Sequence, residues 1–165
     1  MALSPRRSDR LMSFIVYSVF AGLALWAGIR LINHSVNTRF YEDFFLGWET
    51  AIRAYNEQGR GWPRFTGSNH AAYMEHLVKL MRGRDTAPPT SNIQKPFVYR
   101  LDRLGDPKED IFFLCFPGKM VLYGMSFKTF SYLDERIDGR VDEERGHFRG
   151  RISKDGFSYI GQVLL

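Results

Sequence analysis

The chain has 165 residues, a length that accommodates one folded domain and leaves little room for a second. Its 44% hydrophobic and 25% charged residues form an ordinary globular mixture, which excludes wholesale disorder and collagen-like or coiled-coil composition. The net charge is +5, but residues 33–165 hold 19 lysines and arginines against 17 aspartates and glutamates. Because that region is nearly neutral and its basic residues are interspersed with acids, we expect no nucleic-acid partner.

Residues 11–29 contain no charged side chain. Extended to Ile32, this segment makes a helix of about 33 Å, enough to cross a hydrocarbon core of about 30 Å. A cleaved secretory signal is the alternative, but its apolar part is usually about 7–15 residues long. Here Leu25 and Trp26 also interrupt the small residues at which cleavage would occur. The sequence therefore predicts an uncleaved transmembrane helix over residues 11–32, in contact with membrane lipid.

Basic residues flank this span unequally. Three arginines lie within residues 1–10, whereas Arg30 and Arg39 follow the uncharged segment 11–29. Since the more basic side usually stays in the cytoplasm, residues 1–10 are predicted to be a basic cytoplasmic leader. The rest of the chain would then lie outside the cytoplasm, in the periplasm of a bacterium. The expected location is the inner membrane, crossed once.

Residues 33–85 are predicted to be an amphipathic helical region, because apolar side chains recur there at intervals of three and four. The expected helix-to-sheet core consists of Tyr41, Phe44, Phe45, Trp48, Ile52 and Tyr55. No proline interrupts residues 6–62, so the membrane helix can continue into this one and end near Gly59. The alternative is a break at residues 33–38, where Asn, Ser and Thr side chains compete for the backbone. A shorter second helix is expected over residues 69–81.

A proline-rich, polar linker at residues 86–96 precedes a region of β texture. Residues 97–165 contain aliphatic and aromatic runs, with the alternation typical of strands. The predicted strands are FVYRLD, DIFFLCF, KMVLYGMSF, TFSYLDERI, GHFRGRI and FSYIGQVLL. The second and third are expected to form a hairpin around Pro117-Gly118. Helices followed by antiparallel strands indicate an α+β fold, in which the sheet buries the aromatic face of the long helix.

The sequence carries no motif of a catalytic or metal site. None of its four histidines forms a metal-binding pair, and phosphate-loop, dinucleotide-loop and nucleophile-elbow patterns are absent. Cys115 lies within an apolar run and is expected to be a buried, unreactive thiol. The acidic segment 134–144 is mixed with arginines and lacks the calcium-loop pattern, so we expect a solvated turn. We therefore predict no catalytic residue, no cofactor and no metal.

The helical half of the chain ends in a local pattern, Ala51-Ile52-Arg53-Ala54-Tyr55, followed by Gly61-Trp62-Pro63 and Gly67. This pattern follows a basic leader and an apolar helix that continues into an amphipathic one, and it precedes an antiparallel sheet. The arrangement resembles type IV pilins and type II secretion pseudopilins over about residues 5–82. The resemblance implies a pilin-like fold and a structural or assembly role in a secretion or pilus-type machine.

Two positions depart from that family. Pilins have a glycine before the first mature phenylalanine and, one turn later, a glutamate that neutralises the amino terminus of a neighbouring subunit. When Phe14 is aligned with that phenylalanine, Ser13 replaces the glycine and Ser18 replaces the glutamate. Because a buried carboxylate requires its partner, this loss implies a subunit outside the regular filament, or one that does not polymerise.

These observations predict a non-enzymatic, single-pass membrane protein that acts through contacts with other membrane or pilin-like subunits. The expected anchor and helix-packing positions are Phe14, Ser18, Ala24 and Gly28, the last two being four residues apart and permitting close approach. The expected turn positions are Gly61, Pro63, Pro117 and Gly118. The alternative is a membrane-tethered periplasmic binding or sensor domain unrelated to pilins, with a pocket lined by Tyr123, Phe127 or Tyr132. A helix unbroken from Leu11 to Gln58 favours the first hypothesis, and a break at residues 33–38 favours the second.

Overall fold

The computed structural model describes the chain in three stretches, residues 5–59, 61–83 and 86–165. Within these stretches the fold is α+β, with a long apolar N-terminal helix and a five-stranded antiparallel sheet, as the sequence predicts at this coarse level. The predicted leader at residues 1–10 lies partly outside the described residues. Its described part, from Pro5 onward, belongs to the long helix.

The long helix is continuous from Pro5 to Glu57. Its parts are α1 (Pro5–Arg39), a π-helical segment (Phe40–Phe45) and α2 (Leu46–Glu57). Residues 33–38 are helical, so the break considered at these positions is absent. Residues 9–32 are exposed, and this part of the helix is long and apolar enough to cross a membrane.

The π-helical segment determines which aromatic side chains of the long helix face the sheet. A π turn holds more residues than an α turn, so it shifts the buried face by about one residue. Phe40 is fully buried, whereas Tyr41, predicted to be in the core, is only half-buried. The Tyr41 ring stacks on Phe45, with ring centroids 5.6 Å apart, and lies beneath the guanidinium of Arg136. The prediction for Tyr41 is therefore corrected, since this residue belongs to the rim of the core.

The sheet packs its inner face on the long helix. Its strands are β1 (Val98–Leu101), β2 (Glu109–Phe116), β3 (Lys119–Met125), β4 (Phe148–Ile152) and β5 (Tyr159–Leu164). They lie in the order β1-β2-β3-β5-β4, and each neighbouring pair is antiparallel. The expected hairpin joins β2 and β3 through Pro117 and Gly118, and a φ of 75° at Gly118 favours glycine there. The Phe113 ring lies at centroid distances of 4.9–6.4 Å from the rings of Phe40, Phe44, Phe45 and Trp48.

A third helix, α3 (His70–Arg82), agrees with the prediction for residues 69–81 and covers the part of β2 that β1 does not reach. The Tyr73 hydroxyl donates a hydrogen bond to the Cys115 carbonyl at 2.9 Å. The Cys115 N–H donates to Met74 Sδ at 3.4 Å. Side chains of α3 thus complete the hydrogen bonds of β2. Cys115 itself is fully buried, and this burial raises the pKa of its thiol.

A fourth helix, α4 (Phe127–Asp138), occupies the region where TFSYLDERI was predicted to be a strand, so that prediction is wrong. The Ser126 Oγ accepts a hydrogen bond from the Thr129 N–H at 3.2 Å and caps the start of the helix. Gly139 ends the helix with a φ of 74°. Phe130 and Leu133 are buried at helical spacing. Residues 97–165 are therefore not purely β: the aromatic composition of the segment favours a strand, but its cap and spacing determine a helix.

Gly150→Ala should destabilise the protein. A Cβ at this position would lie 2.2 Å from Cε2 of Phe130, whose ring is fully buried. We expect the free energy of unfolding to fall by about 1–3 kcal/mol, the usual cost of overpacking, in urea unfolding of the detergent-solubilised chain. Gly61→Ala is the matched control, because nothing lies within 4 Å of a Cβ at Gly61. Equal stability of the two variants would contradict the packing of α4 on β4.

Candidate functional site

The junction between the long helix and the sheet is built by residues 102–108, the loop from β1 to β2. Asn33, one residue beyond the predicted span, pairs with the backbone of Leu104 in this loop. Its Nδ2 donates to the Leu104 carbonyl at 3.0 Å, and the Leu104 N–H donates to its Oδ1 at 2.8 Å. One turn later, the Asn37 Oδ1 accepts a hydrogen bond from Arg103 Nη1 at 3.4 Å. We call these three hydrogen bonds the junction clasp.

Behind the junction clasp lies a buried polar cluster formed by Arg103, Glu109, Ser126 and Thr129. Arg103 is 3% exposed, and its Nη2 donates hydrogen bonds to Glu109 and, at 2.8 Å, to Thr129 Oγ1. Glu109 accepts hydrogen bonds from the Ser126 N–H (2.7 Å), the Ser126 hydroxyl (2.9 Å) and the Thr129 hydroxyl (2.7 Å). The two buried charges are thus paired and also hydrogen-bonded, which is the condition for tolerating them in a protein interior.

The buried polar cluster connects the separate parts of the fold. Arg103 belongs to the loop, Glu109 begins β2, and Ser126 caps α4. Through Asn37 the same arginine also reaches α1. A buried ion pair adds little net stability over an apolar packing, but removal of one partner is costly. The cluster and the clasp together therefore fix how the sheet is oriented on the long helix.

Sequence reasoning missed this junction. Asn33 and Asn37 lie in the segment 33–38, where a helix break is the alternative, and nothing local in the sequence assigns their side chains partners in the sheet region. The partner of Asn33 is 71 residues away in the sequence, at Leu104. Arg103 and Glu109 lie on either side of a turn, with no periodic pattern that marks them as buried. The available signal was modest: a polar residue at the end of an apolar helix needs a hydrogen-bond partner when the helix packs on a domain.

The acidic segment 134–144, expected to be a solvated turn, begins within α4, and three of its carboxylates, those of Asp134, Asp138 and Asp142, accept backbone hydrogen bonds. The buried Asp134 accepts from the Asp142 N–H at 2.6 Å, and burial raises the pKa of Asp134. Asp138 accepts from the N–H groups of His147 and Phe148, each at 2.8 Å. Burial alone would raise the pKa of Asp138, but these hydrogen bonds and the His147 ring outweigh it and hold that pKa below its usual range. Among the described residues, no group of three or more His, Cys, Asp or Glu side chains is placed to hold a metal ion.

The predicted anchor positions lie on the exposed surface of α1. These positions are Phe14, Ser18, Ala24 and Gly28. At about 100° per residue they fall within about 120° of one another around the helix. No other atom lies within 4 Å of a Cβ built at Gly28, so this side of the helix has room for lipid or another helix.

The predicted core and turn positions lie between the long helix and the sheet and at chain reversals. Five of the six predicted core residues are at most 1% exposed: Phe44, Phe45, Trp48, Ile52 and Tyr55. Gly61 follows the long helix, and its carbonyl accepts a hydrogen bond from the Tyr55 hydroxyl at 2.9 Å. Pro63 is half-buried nearby, while Pro117 and Gly118 form the β2–β3 turn.

The three residues considered as pocket-lining lie in different places. Tyr132 lines a cleft of about 800 Å³ between the membrane end of α1 and the loop, which we call the junction cleft. Tyr123 lines a groove of about 410 Å³ on the face of β3, β5 and β4 opposite α4, together with Lys119, Arg149 and Arg151. We call this second surface the basic groove. Phe127 lines neither, and its ring packs on Tyr159 with a centroid distance of 5.3 Å.

Comparison with protein families, curated proteins and solved structures finds no match to this chain.

Arg103→Met should strongly destabilise the protein, because it leaves Glu109 buried without its cation. We expect a loss of about 3–5 kcal/mol in the free energy of unfolding, measured by urea unfolding in detergent. Arg100→Met is the matched control, since Arg100 pairs with Asp110 at 2.7 Å but both side chains are about half exposed. That variant should unfold almost as the parent does. Similar losses in the two variants would contradict the importance of the buried polar cluster.

Asp138→Asn should weaken the acid dependence of stability. A carboxyl whose pKa is lowered by folding stabilises the protein above its unfolded pKa of about 3.9, and this contribution is lost as the pH falls through the folded value. The parent should therefore lose thermal stability between pH 5 and more acidic conditions. The variant should be less stable than the parent at pH 7 and lose less on acidification. Glu135→Gln, at an exposed position of α4, is the control, and a parent-like acid profile for Asp138→Asn would contradict the assignment.

Proposed function

We propose that this protein is a non-enzymatic, single-pass membrane protein, a pilin- or pseudopilin-like component that acts by protein contact in a secretion or pilus-type machine. The observation that carries the proposal is the continuous helix from Pro5 to Glu57. Its first part exposes an apolar surface, and its second part buries an aromatic face against the sheet. Such a helix presents a rigid domain at a defined position above a membrane.

The proposed topology places the N-terminus in the cytoplasm and the sheet outside it. The arginines of residues 1–10 support this orientation through the bias of basic residues toward the cytoplasm. In this topology the junction clasp lies at the extracytoplasmic surface of the inner membrane, because Asn33 directly follows Ile32, the last residue of the predicted span. Any lateral partner of α1 would then be positioned relative to the folded domain, since helix and domain move together.

The neutral residue at position 18 restricts the proposed role. Ser18 is exposed on α1 and offers a hydroxyl where pilins have a carboxylate. A hydroxyl cannot neutralise the amino terminus of a neighbouring subunit. We therefore favour a minor or accessory subunit that contacts the assembly through small residues such as Ala24 and Gly28, over a repeating subunit of a filament.

The alternative proposal is a membrane-tethered binding or sensor domain, and the basic groove favours it. Lys119, Arg149 and Arg151 line that groove, and none lies within 4.0 Å of a carboxylate among the described residues. Three cations without acidic partners suit an anionic ligand. In this alternative the long helix would serve only to hold the groove at the membrane.

A photoreactive residue at Ser18 should form crosslinks to a membrane protein in living cells, because this side of α1 is the proposed packing surface. The same residue at Leu23 is the matched control, since it lies about 140° away around the helix. Crosslinked products are identified by mass spectrometry, with the N-terminal sequence read in the same sample. Capture of a pilus or secretion subunit from Ser18 and not from Leu23 is the expected result. Capture of lipid alone at both positions would contradict an assembly role and favour the tethered binding domain.

A further inference from the structure

The junction cleft lies at the level where the predicted span ends. Its helix wall includes Trp26, Arg30 and Leu31, and its opposite wall includes Leu104, Lys128 and Tyr132. The hydrogen bonds between Asn33 and Leu104 hold the two walls together. On the proposed anchoring, Trp26 and Arg30 stand at the boundary of the hydrocarbon region, where aromatic and basic residues are enriched. On this anchoring the cleft opens toward lipid headgroups, with the exposed apolar side chains of Trp26, Leu31 and Leu104 along its walls.

The junction cleft carries positive charge that an anion could neutralise. The Arg30 guanidinium lies 5.0 Å from the centroid of the Trp26 ring and has no carboxylate within 4.0 Å among the described residues. Lys128 lies 2.6 Å from Asp106, but the same carboxylate also lies 3.3 Å from Arg103. Since Arg103 is also paired with Glu109, Asp106 balances Lys128, and Arg30 supplies the net positive charge of the cleft.

A buried polar group of a residue that lines the cleft also lacks a partner among the described residues. The Tyr132 hydroxyl is buried and makes no hydrogen bond within the described part of the chain. A buried hydroxyl without a partner is costly, and a ligand oxygen in the cleft would satisfy it. Tyr132 lines the same cleft as Arg30 and Lys128. Two cations, the exposed apolar side chains of Trp26 and Leu31, and a neighbouring hydroxyl without a partner among the described residues match a phosphate joined to an acyl chain.

We propose that the junction cleft binds one anionic glycerophospholipid. Its phosphate lies between Arg30 and Lys128, a glycerol or headgroup oxygen accepts from Tyr132, and an acyl chain runs along Trp26 and Leu31. This inference depends on the proposed membrane anchoring. It adds the class of lipid that binds between α1 and the loop at residues 102–108. A bound lipid bridges α1 and α4 and so stabilises the position of the domain at the membrane.

The test is a titration of the full chain in detergent with phosphatidylglycerol or phosphatidylcholine, in which native mass spectrometry counts the lipids retained. The parent should retain one phosphatidylglycerol, in preference to phosphatidylcholine. The double variant Arg30→Gln/Lys128→Gln should retain it about tenfold less, because two charge-assisted contacts are lost. The matched control is Arg64→Gln/Lys95→Gln, which removes the same charge from two exposed positions outside both the junction cleft and the basic groove and should behave as the parent.

Tyr132→Phe is the second variant, since it removes only a hydroxyl that has no protein partner. We expect it to fold as stably as the parent without lipid and to retain phosphatidylglycerol about two- to fivefold less. Equal retention by the parent and the Arg30/Lys128 variant would overturn the proposal. Equal retention of the two lipids, or displacement by inorganic phosphate, would overturn it as well.

Flotation of the parent with lipid vesicles distinguishes failure of this inference from failure of the anchoring. If the parent does not float, the membrane anchor itself is wrong and the lipid site falls with it. If the parent and the variants float equally but retain phosphatidylglycerol without preference, only the lipid site is wrong. Preferential retention that depends on Arg30 and Lys128 supports both.

Discussion

One continuous helix contains the exposed apolar segment and also forms part of the core of the folded domain. The rest of the structure depends on this helix being unbroken. An α-helix satisfies its own backbone hydrogen bonds, so the chain can pass from a lipid environment to water without a break. Only the character of the side chains changes along the helix. The side chains are mostly apolar and exposed up to Ile32, those of Asn33 and Asn37 make hydrogen bonds to the loop between β1 and β2, and aromatic side chains are buried from Phe40 onward. The π-helical segment adjusts the last of these surfaces to the inner face of the sheet. A break anywhere in this sequence would separate the anchor from the domain.

The orientation of the folded domain relative to the long helix depends more on hydrogen bonds than on the area of apolar contact between them. Aromatic packing of Phe113 on the long helix contributes much of the core, but apolar contact alone tolerates small rotations. The junction clasp does not, because a rotated helix would break the hydrogen bonds between Asn33 and Leu104 and between Arg103 and Asn37. On the proposed function such a fixed orientation matters, since a partner would have to meet both the apolar helix and the domain.

The sequence predicts the parts of this fold that depend on repeated patterns. The apolar run, the 3-4 spacing after residue 40 and the strand alternation around Pro117 suffice for the long helix and the β2–β3 hairpin. The helix α4 was missed because its aromatic and β-branched residues favour a strand, and only the cap at Ser126 and the stop at Gly139 indicate otherwise. The junction was missed for a different reason: Asn33 and Leu104 are distant in sequence, and nothing local links an asparagine to a backbone amide in another element.

Distance measurement between two spin labels tests the continuity of the helix most directly. One label is placed at Tyr17 in the apolar segment and the other at Arg151 in β4, both exposed, in the full chain reconstituted in lipid nanodiscs. The native Cys115 is fully buried and remains unlabelled. A rigid helix with a clasped junction predicts one narrow distance distribution. A broad distribution, or several separate distances, would show that the chain bends between anchor and domain and would contradict the account.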